Sequence, residues 1–288
     1  MTDLDALALF NEARPSLFGI AYRMLGSVAD AEDVLQDAWL RWARAERGEV
    51  RNAAAFLTTV TTRLAITAAT SARARREVYV GPWLPEPVST VDDPTLGAER
   101  AEAMDLAVLL LMERLPARER AAYVLREAFD YSFRDIAEVL ETSEANARQL
   151  ARRARTHLAE ERHTPVDQAE HGRLLAAFLA AAEKGDLAGL EKLLTQDAVS
   201  ISDGGGVVTA ARAPIVGRER VARFVVGALA KFGTGAAVSF VDVNGQPGLL
   251  AVRDGAPLAL VTMDAGADGV HRLLMILNPA KLSGLAGG

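Results

Sequence analysis

The chain has 288 residues and a formal net charge of -6 at pH 7; half of its residues are hydrophobic, 24% are charged, and none is cysteine. This length favours two or three domains, and this composition favours globular folding over disorder. The lack of cysteine excludes disulfides, cysteine zinc sites and thiol nucleophiles, and the acidic balance means that nucleic-acid binding must depend on local basic patches.

The N-terminal stretch MTDLDALALFNEARP carries early acids and short apolar spacing. It matches neither a signal peptide nor a membrane span, so we expect a cytoplasmic protein without membrane contact. From here onward, apolar residues recur every three or four positions. This period predicts an all-α domain over residues 1–78.

One helix of this first domain is predicted to begin near Ala29 and to place Asp33, Gln36 and Asp37 together on a polar side. Such an acidic face is either solvated surface or a docking surface for a basic protein. The domain ends with a basic stretch suited to DNA, whose members are Arg63, Arg73, Arg75 and Arg76. The two surfaces differ in charge and therefore suit different partners.

Residues 79–100 are predicted to form a linker, and its first part is unusual. The segment YVGPWLPEP contains three prolines, among them Pro85, around the aromatic Trp83. Proline fixes the backbone, whereas flexible linkers are rich in Gly, Ser and charge. We expect this stiff apolar segment either to dock on a specific surface or to cap the first helical bundle. The remainder, VDDPTLGAER, is typical of a polar linker.

Helical periodicity resumes over residues 101–163 and predicts a second all-α domain. In SFRDIAEVLETSEANARQLARRARTHL, Ser132 and Ser143 are each expected to cap a helix, and the tight turn between these helices predicts a helix-turn-helix. The second helix carries side chains that can reach base edges and phosphates, namely Arg148, Gln149, Arg152, Arg153 and Arg155. The alternative is a solvated arginine face on a structural helix.

After the linker HTPVDQ, residues 168–284 are predicted to form an α+β domain. An amphipathic helix pair hinges at Gly185 and Asp186. Strand-like segments follow, separated by Gly, Asn and Asp turns: AVSIS, AVSFVDV, GLLAVRD, PLALVTMD and HRLLMIL.

Two motifs carry a resemblance to a known family. DAEDVLQDAWLRW and the helix-turn-helix segment resemble regions two and four of extracytoplasmic-function sigma factors, the dissociable promoter-recognition subunits of bacterial RNA polymerase. YVGPWLPEP resembles the subgroup with a fused SnoaL-like C-terminal domain. That subgroup carries a DGGG motif, present here from Asp203 to Gly206, and a terminal NPDKL motif, present here as Asn278, Pro279, Ala280, Lys281 and Leu282.

The resemblance implies where the partners bind. Asp33, Gln36 and Asp37 match the surface that meets the clamp helices of the largest subunit of core RNA polymerase. The loop RGEVRNAAA and the helix from Phe56 to Arg76, with its four arginines, would contact the -10 element as it melts. Family members carry Asp, a basic and an apolar residue where this chain has Thr67, Ala68 and Ala69. The helix after Ser143 would read the -35 element.

The resemblance also implies control by the third domain. In such factors the connector runs along the active-site cleft and RNA exit path of the polymerase, and free in solution it would pack against the C-terminal cone. The cone would thus regulate the sigma regions in cis, in place of or beside an anti-sigma factor. The expected contact residues are Trp83, Pro85, Asp203, Gly204, Gly205, Asn278, Pro279 and Lys281.

The SnoaL-like cone packs helices against a curved sheet and often has a pocket, and some relatives are enzymes with an Asp or His base. The polar candidates here are Asp203, Asp242, Asp264 and His271. Asp203 is interpreted as a turn residue and His271 as polarity at a strand start, while His157, His163 and His171 lack metal-ligand spacing. We therefore expect no catalytic site, metal or cofactor, and an interaction domain with a small-molecule sensor pocket as the alternative.

The whole chain is accordingly predicted to be a multidomain sigma factor with two all-α domains and a C-terminal α+β cone. The alternative is a stand-alone helix-turn-helix regulator with a ligand-sensing domain, which would need no polymerase contact.

Overall fold

The computed structural model describes residues 3–46, 50–90, 105–161, 164 and 166–285. These residues cluster into two compact units. The first takes residues 3–77 and 108–161, and the second takes residues 78–90, 105–107 and those from 164 onward. The two predicted all-α domains therefore pack as one unit, and the described part of the predicted 79–100 linker belongs to the C-terminal unit.

The first unit is helical throughout its described elements. Its helices are α1 (Asp3–Leu25), α2 (Val28–Arg44), α3 (Ala53–Glu77), most of α4 (Leu106–Met112), α5 (Ala117–Glu127), α6 (Phe133–Val139) and α7 (Glu144–Glu161). The all-α character expected of residues 1–78 and 101–163 is confirmed for those of them that the structure describes.

Helices α1, α2 and α3 form a bundle around large buried side chains. The side chain of Ser27 caps α2 by accepting a hydrogen bond from the Asp30 amide, and apolar residues at three- and four-residue spacing turn inward from there. Trp42 is fully buried and its Nε1–H donates to the Ala6 carbonyl at 2.9 Å. Replacing Trp42 by Ala would leave a large cavity, at a cost of about 3–5 kcal/mol.

The predicted helix-turn-helix is formed by α6 and α7. The Ser132 side chain accepts from the Asp135 amide at 3.2 Å, and the Ser143 side chain accepts from the Asn146 amide at 3.2 Å, so both predicted caps are confirmed. Between the helices the chain turns at Glu141, whose φ is 48°. The apolar side of α7 is buried at Ala147, Leu150, Ala151, Ala154 and Leu158, and its polar side is left outward.

The second unit is an α+β fold with one six-stranded sheet. Its elements are α8 (Gln168–Glu183), α9 (Leu187–Leu193), β1 (Leu194–Asp203), β2 (Ile215–Val216), α10 (Arg218–Phe232), β3 (Ala237–Val243), β4 (Gln246–Arg253), β5 (Ala256–Gly266), β6 (Gly269–Ile276) and the short α11 (Pro279–Leu282). The strand order is β2-β1-β6-β5-β4-β3, in which β1 and β6 are parallel and all other pairs are antiparallel.

Local turn chemistry explains much of this sheet. Asn244 and Gly245 both have positive φ and join β3 to β4 with Val243 paired to Gln246, which is the two-residue type I′ hairpin that Asn-Gly favours. The predicted helix pair with a hinge at Gly185 and Asp186 is confirmed as α8 and α9. Helix α10 and the two-residue β2 were not predicted from the sequence. The core lies between α8, α9, α10 and one face of the sheet.

Candidate polymerase, DNA and linker sites

The acidic face of α2 is exposed. Asp33, Gln36 and Asp37 are all exposed, while Val34, Leu35 and Ala38 on the other side of the helix are buried. This split follows from the helical period and was predicted. The face therefore offers two carboxylates and an amide to a partner.

The five predicted residues of α7 divide into two groups. All are exposed, but Arg153 and Arg155 turn towards α5, where Arg155 lies 2.5 Å from Glu127 and Arg153 lies 3.9 Å from Glu119. The others are Arg148 and Gln149, which are adjacent, and Arg152, which lies one turn after Arg148. Arg148 pairs with Glu144 and lies over the Phe133 ring, with 4.7 Å from Cζ to the ring centroid. Arg152 forms no ion pair among the described residues, and Gln149 is an uncharged amide.

The basic stretch of α3 is less available than the sequence indicated. Arg73 is exposed, and Arg75 is exposed but pairs with Asp30 at 2.8 Å. Arg63 instead donates from Nε to the Val139 carbonyl at 2.9 Å and pairs through Nη1 with Glu141 at 2.8 Å. In this arrangement Arg63 binds the end of α6, so its predicted contact with DNA would require it to leave Val139 and Glu141.

Arg76 is also less available to DNA than the sequence indicated. It is largely buried and forms an ion pair with Glu113, which also accepts from Arg120 at 2.7 Å. Burial is the main cause that lowers the pKa of Arg76 to about 9 and that of Arg120 to about 10, and neighbouring arginines add to it. Both guanidiniums stay cationic at neutral pH, so one carboxylate joins two cations from α3 and α5. Of the predicted -10 loop, residues 47–49 lie outside the described residues.

Asp203 is the centre of the contacts between the linker segment 79–90 and the sheet. It ends β1, is fully buried, and its carboxylate accepts four hydrogen bonds. Oδ1 accepts from the Tyr79 hydroxyl at 2.6 Å and from the Gly205 amide at 3.0 Å; Oδ2 accepts from the Leu84 amide at 2.9 Å and from Lys281 Nζ at 2.7 Å. Asp203 is therefore a turn residue, through its bond to the Gly205 amide, and also the acceptor that holds the linker segment.

The terminal motif completes this site. Asn278 Nδ2 donates to the Tyr79 hydroxyl at 3.0 Å, and Lys281 donates to the Leu84 carbonyl. The Lys281 ammonium also lies 4.3 Å from the centroid of the Trp83 ring, within cation–π range. Burial, followed by the hydrogen bond to Asp203, raises the pKa of the Tyr79 phenol, so Tyr79 remains a donor. Ala280 is exposed, so the departure from the family motif lies outside this network.

The glycines of the DGGG motif allow the close approach. Gly205 has a φ of 63°, and a Cβ there would lie 2.4 Å from Asn278 Nδ2. A Cβ on Gly206, whose φ is 72°, would lie 3.0 Å from the Val80 side chain. Pro85 is buried, whereas Pro279 is exposed at the first turn of α11. Any side chain at 205 would push the terminal motif away from Tyr79.

The linker segment also extends the sheet at its β3 edge. Ser89 forms a bridge with Val243, and the Asn244 side chain accepts from the Val88 amide at 3.0 Å. The hydroxyl of Thr90 donates to Asp242. Sequence reasoning missed Tyr79 and Asn244 as members of the site. Tyr79 stands at the start of the proline segment and Asn244 in an Asn-Gly turn, and both features can be seen in the sequence. Neither feature shows which residue its side chain contacts.

The other polar candidates do not converge on one cavity. Asp242 binds Thr90, Asp264 pairs with Arg272 at 3.2 Å, and His271 is buried against Asp268 at 2.8 Å, which replaces its interpretation as polarity at a strand start. Within the described residues no three His, Asp or Glu side chains are grouped as metal ligands would be. Nor does any described helix combine the length and apolarity needed to cross a membrane.

Comparison with known proteins identifies the family. Residues 9–75 match the family described as Sigma-70 region 2, and residues 105–158 match Sigma-70 region 4. The ECF RNA polymerase sigma factor SigJ of Mycobacterium tuberculosis is 37% identical over an alignment of 291 residues, which covers 96% of this chain and 92% of the relative. The chain belongs to the extracytoplasmic-function sigma factors.

This sigma factor matches the structure of that relative along nearly the whole chain. The crystal structure of M. tuberculosis SigJ matches with a TM-score of 0.78 at 36% identity, over 96% of this chain and 98% of that one. The probable ECF sigma factor SigI of the same organism is 30% identical over 96% of this chain. As a sigma factor, the protein directs promoter-specific transcription initiation with core RNA polymerase and catalyses no reaction itself. The alternative of a stand-alone regulator is thereby set aside.

Proposed function

We propose that the C-terminal unit regulates this sigma factor in cis by holding the linker segment 79–90, a segment that polymerase also requires. The observation that carries the proposal is the buried Asp203 carboxylate, whose four donors include a side chain and an amide of that segment. The factor acts in the cytoplasm, where core polymerase acts.

Core polymerase docks on the acidic face of α2. Asp33 and Asp37 are exposed carboxylates on a helix whose other side is buried, and they suit a basic surface such as the clamp helices of the largest subunit. Charge complementarity of this kind raises the association rate and selects the partner.

Promoter recognition divides between α7 and α3. Gln149 and Arg152 lie outward on α7 and read bases of the -35 element, while Arg148 contacts bases or phosphates once it leaves Glu144. Arg153 and Arg155, held towards α5, contact phosphates. At the -10 element the available cations of α3 are Arg73 and Arg75. Arg63 and Arg76 contribute there only after they separate from Glu141 and Glu113.

The linker segment is shared between the C-terminal unit and polymerase, and this sharing is the physical basis of control. Tyr79 and Leu84, which contact Asp203, belong to the segment that would lie along the polymerase cleft. Because both partners are parts of one chain, the effective concentration of the C-terminal unit near the linker can reach the millimolar range, so even a weak contact would be occupied. Polymerase binding must therefore break the Asp203 contacts or use them, and the proposal commits to the coupling and not to its sign.

Run-off transcription with purified core polymerase tests the coupling. The full-length parent is compared with Asp203→Asn and with Tyr79→Phe, which removes a single hydroxyl worth about 1.5–3 kcal/mol as a donor to a charged acceptor. We expect both variants to shift the core concentration that gives half-maximal transcript, in the same direction and more strongly for Asp203→Asn.

Asp254→Asn is the matched control, because it makes the same charge change at an exposed position whose φ of 52° asparagine accepts readily. Hydrogen exchange of peptides covering residues 79–90 reports whether the segment is released. If Asp203→Asn and Tyr79→Phe accelerate that exchange while transcription stays like that of the parent, the C-terminal unit does not control the factor through the linker.

A further inference from the structure

The C-terminal unit contains a large apolar cavity that the regulatory contacts do not use. Its volume is about 520 Å³, and it lies between α8, α10 and the sheet. Its walls are formed by Phe, Leu, Val, Ala and Met side chains, among which Phe178, Phe224 and Phe232 are the largest. This volume falls within the range of small-molecule sites, whereas a packed core leaves few voids larger than a water molecule.

Arg253 gives the cavity a charged end. It is the cationic residue of the lining, and one of its terminal nitrogens donates to the carbonyl of Phe232, the last residue of α10. Its Nε is buried without a hydrogen-bond partner among the described residues. Capping the end of α10 accounts for one guanidinium nitrogen and leaves Nε unexplained, and a buried donor without an acceptor costs about 1–3 kcal/mol.

The charge at this end favours an anion. A carboxylate matches the planar donor set of a guanidinium, and such bonds are about twice as strong as neutral ones. An apolar chamber with one cationic end therefore fits a molecule with an apolar body and one acidic head.

We propose that this cavity binds an amphipathic organic acid, with its apolar body among the phenylalanines and its carboxylate on Arg253. Asp203, Asp242, Asp264 and His271 are absent from the lining, so the site is built for binding rather than for acid–base chemistry.

The cavity shares a wall with the linker site. Residues 208–211 line the cavity and also a smaller pocket of about 290 Å³, whose other side includes Val80 and Gly81 of the linker segment. A ligand that fills the cavity presses on this shared wall and changes how the linker segment is held. This coupling, unlike the binding itself, rests on the proposed control in cis.

Isothermal titration of the full-length protein with decanoate, below its micelle concentration, tests the binding, and 1-decanol is the uncharged match. We expect saturable binding of decanoate, at least tenfold weaker binding to Arg253→Met, and unchanged binding to Arg220→Met, which removes an exposed cation of α10 outside the lining. Binding of 1-decanol should not depend on Arg253.

Ala228→Phe is a second variant, which fills the cavity and leaves Arg253 in place. It should abolish decanoate binding. If Arg253→Met fails to fold, Ala228→Phe alone tests whether decanoate binds in this cavity. The proposal is overturned if decanoate shows no saturable binding, or if neither substitution weakens it. Decanoate should also alter hydrogen exchange in residues 79–90. If decanoate binds without that change, the binding site stands but its proposed coupling to the linker segment is wrong.

Discussion

The Asp203 carboxylate accepts hydrogen bonds from the linker segment, from its own turn and from the terminal motif at once. Asp203 can stay ionised while fully buried because four donors, one of them the Lys281 ammonium, replace its water. Removing the carboxylate leaves a nearly buried ammonium without its partner, and such losses cost about 3–5 kcal/mol.

His171 makes the C-terminal unit sensitive to acid. It is buried on α8, and burial lowers the pKa of His171 below its usual 6.5, although the facing Gln246 on β4 and Asp264 on β5 act in the opposite direction. Between the folded and unfolded pKa values, His171 is protonated in the unfolded chain and neutral in the folded unit. The contribution of neutral His171 to the free energy of unfolding is fully present above about pH 6.5. It is lost as the pH falls towards the pKa of His171 in the folded state.

Urea unfolding followed by hydrogen exchange of peptides from the C-terminal unit checks this expectation. Between pH 7.5 and 5.5 the parent should lose stability more steeply than His171→Gln, while the exposed His157→Gln should keep the slope of the parent. Equal slopes for all three proteins would mean that His171 does not set the acid response.

At the scale of the element, the proposed roles on α7 separate residues that contact bases from residues that contact only phosphates. Arg152 lies outward without an ion pair among the described contacts, whereas Arg155 is held 2.5 Å from Glu127. We expect Arg152→Ala to lose discrimination at one position of the -35 element by about 1–3 kcal/mol. Arg155→Ala should weaken binding evenly across promoter variants, because it removes only a phosphate contact.

Transcription from a panel of single-base -35 variants measures both effects, and Arg134→Ala on α6 serves as a control for removing an exposed arginine near this helix. A position-specific loss in Arg155→Ala together with none in Arg152→Ala would reverse the assignment.

The predicted elements rest on signals that are local in the chain. The caps at Ser132 and Ser143 and the helical period of α2 could be predicted because each depends on residues within one or two turns. Helix α10 was missed because its N-cap, Gly217, supplies no side-chain hydrogen bond and strand-like segments surround it. The partners of Asp203 could not be derived, since Leu84 and Tyr79 lie 119 and 124 positions away in the chain.

At the scale of the whole molecule, the first unit is too small to reach both promoter elements as it stands. A unit of about 140 residues has a radius of gyration of about 14 Å and is about 40 Å across. The -35 and -10 elements are roughly 80 Å apart along the duplex at a 3.4 Å rise per base pair. The contacts that join α3 to α5 and α6, through Arg63, Arg76 and Glu113, must therefore separate when both elements are bound.

Pulsed electron paramagnetic resonance can measure this opening, since the chain has no cysteine and labels can be placed uniquely. With labels at Leu40→Cys and Glu160→Cys, the free parent should give one short distance, and core polymerase with promoter DNA should add a distance longer by tens of ångströms. Arg63→Ala should populate longer distances in the free protein, because it removes three contacts to α6 and the turn after it.

Arg134→Ala, which removes only a pair within α6, should leave the distance unchanged. An unaltered distance in the promoter complex would show that the first unit binds DNA without opening.

The spacing of the linker contacts along the chain also sets an order of events during synthesis. Leu84 leaves the ribosome 197 residues before Lys281, and bacterial-scale elongation of 5–20 residues per second makes that interval about 10–40 s. Both sigma regions are complete once Glu161, the last residue of α7, has been made. For the 120 residues from there to Lys281, about 6–24 s, they exist without the Lys281 contact to their linker. Every newly translated molecule therefore passes through a period in which polymerase can meet it before its own C-terminal unit does.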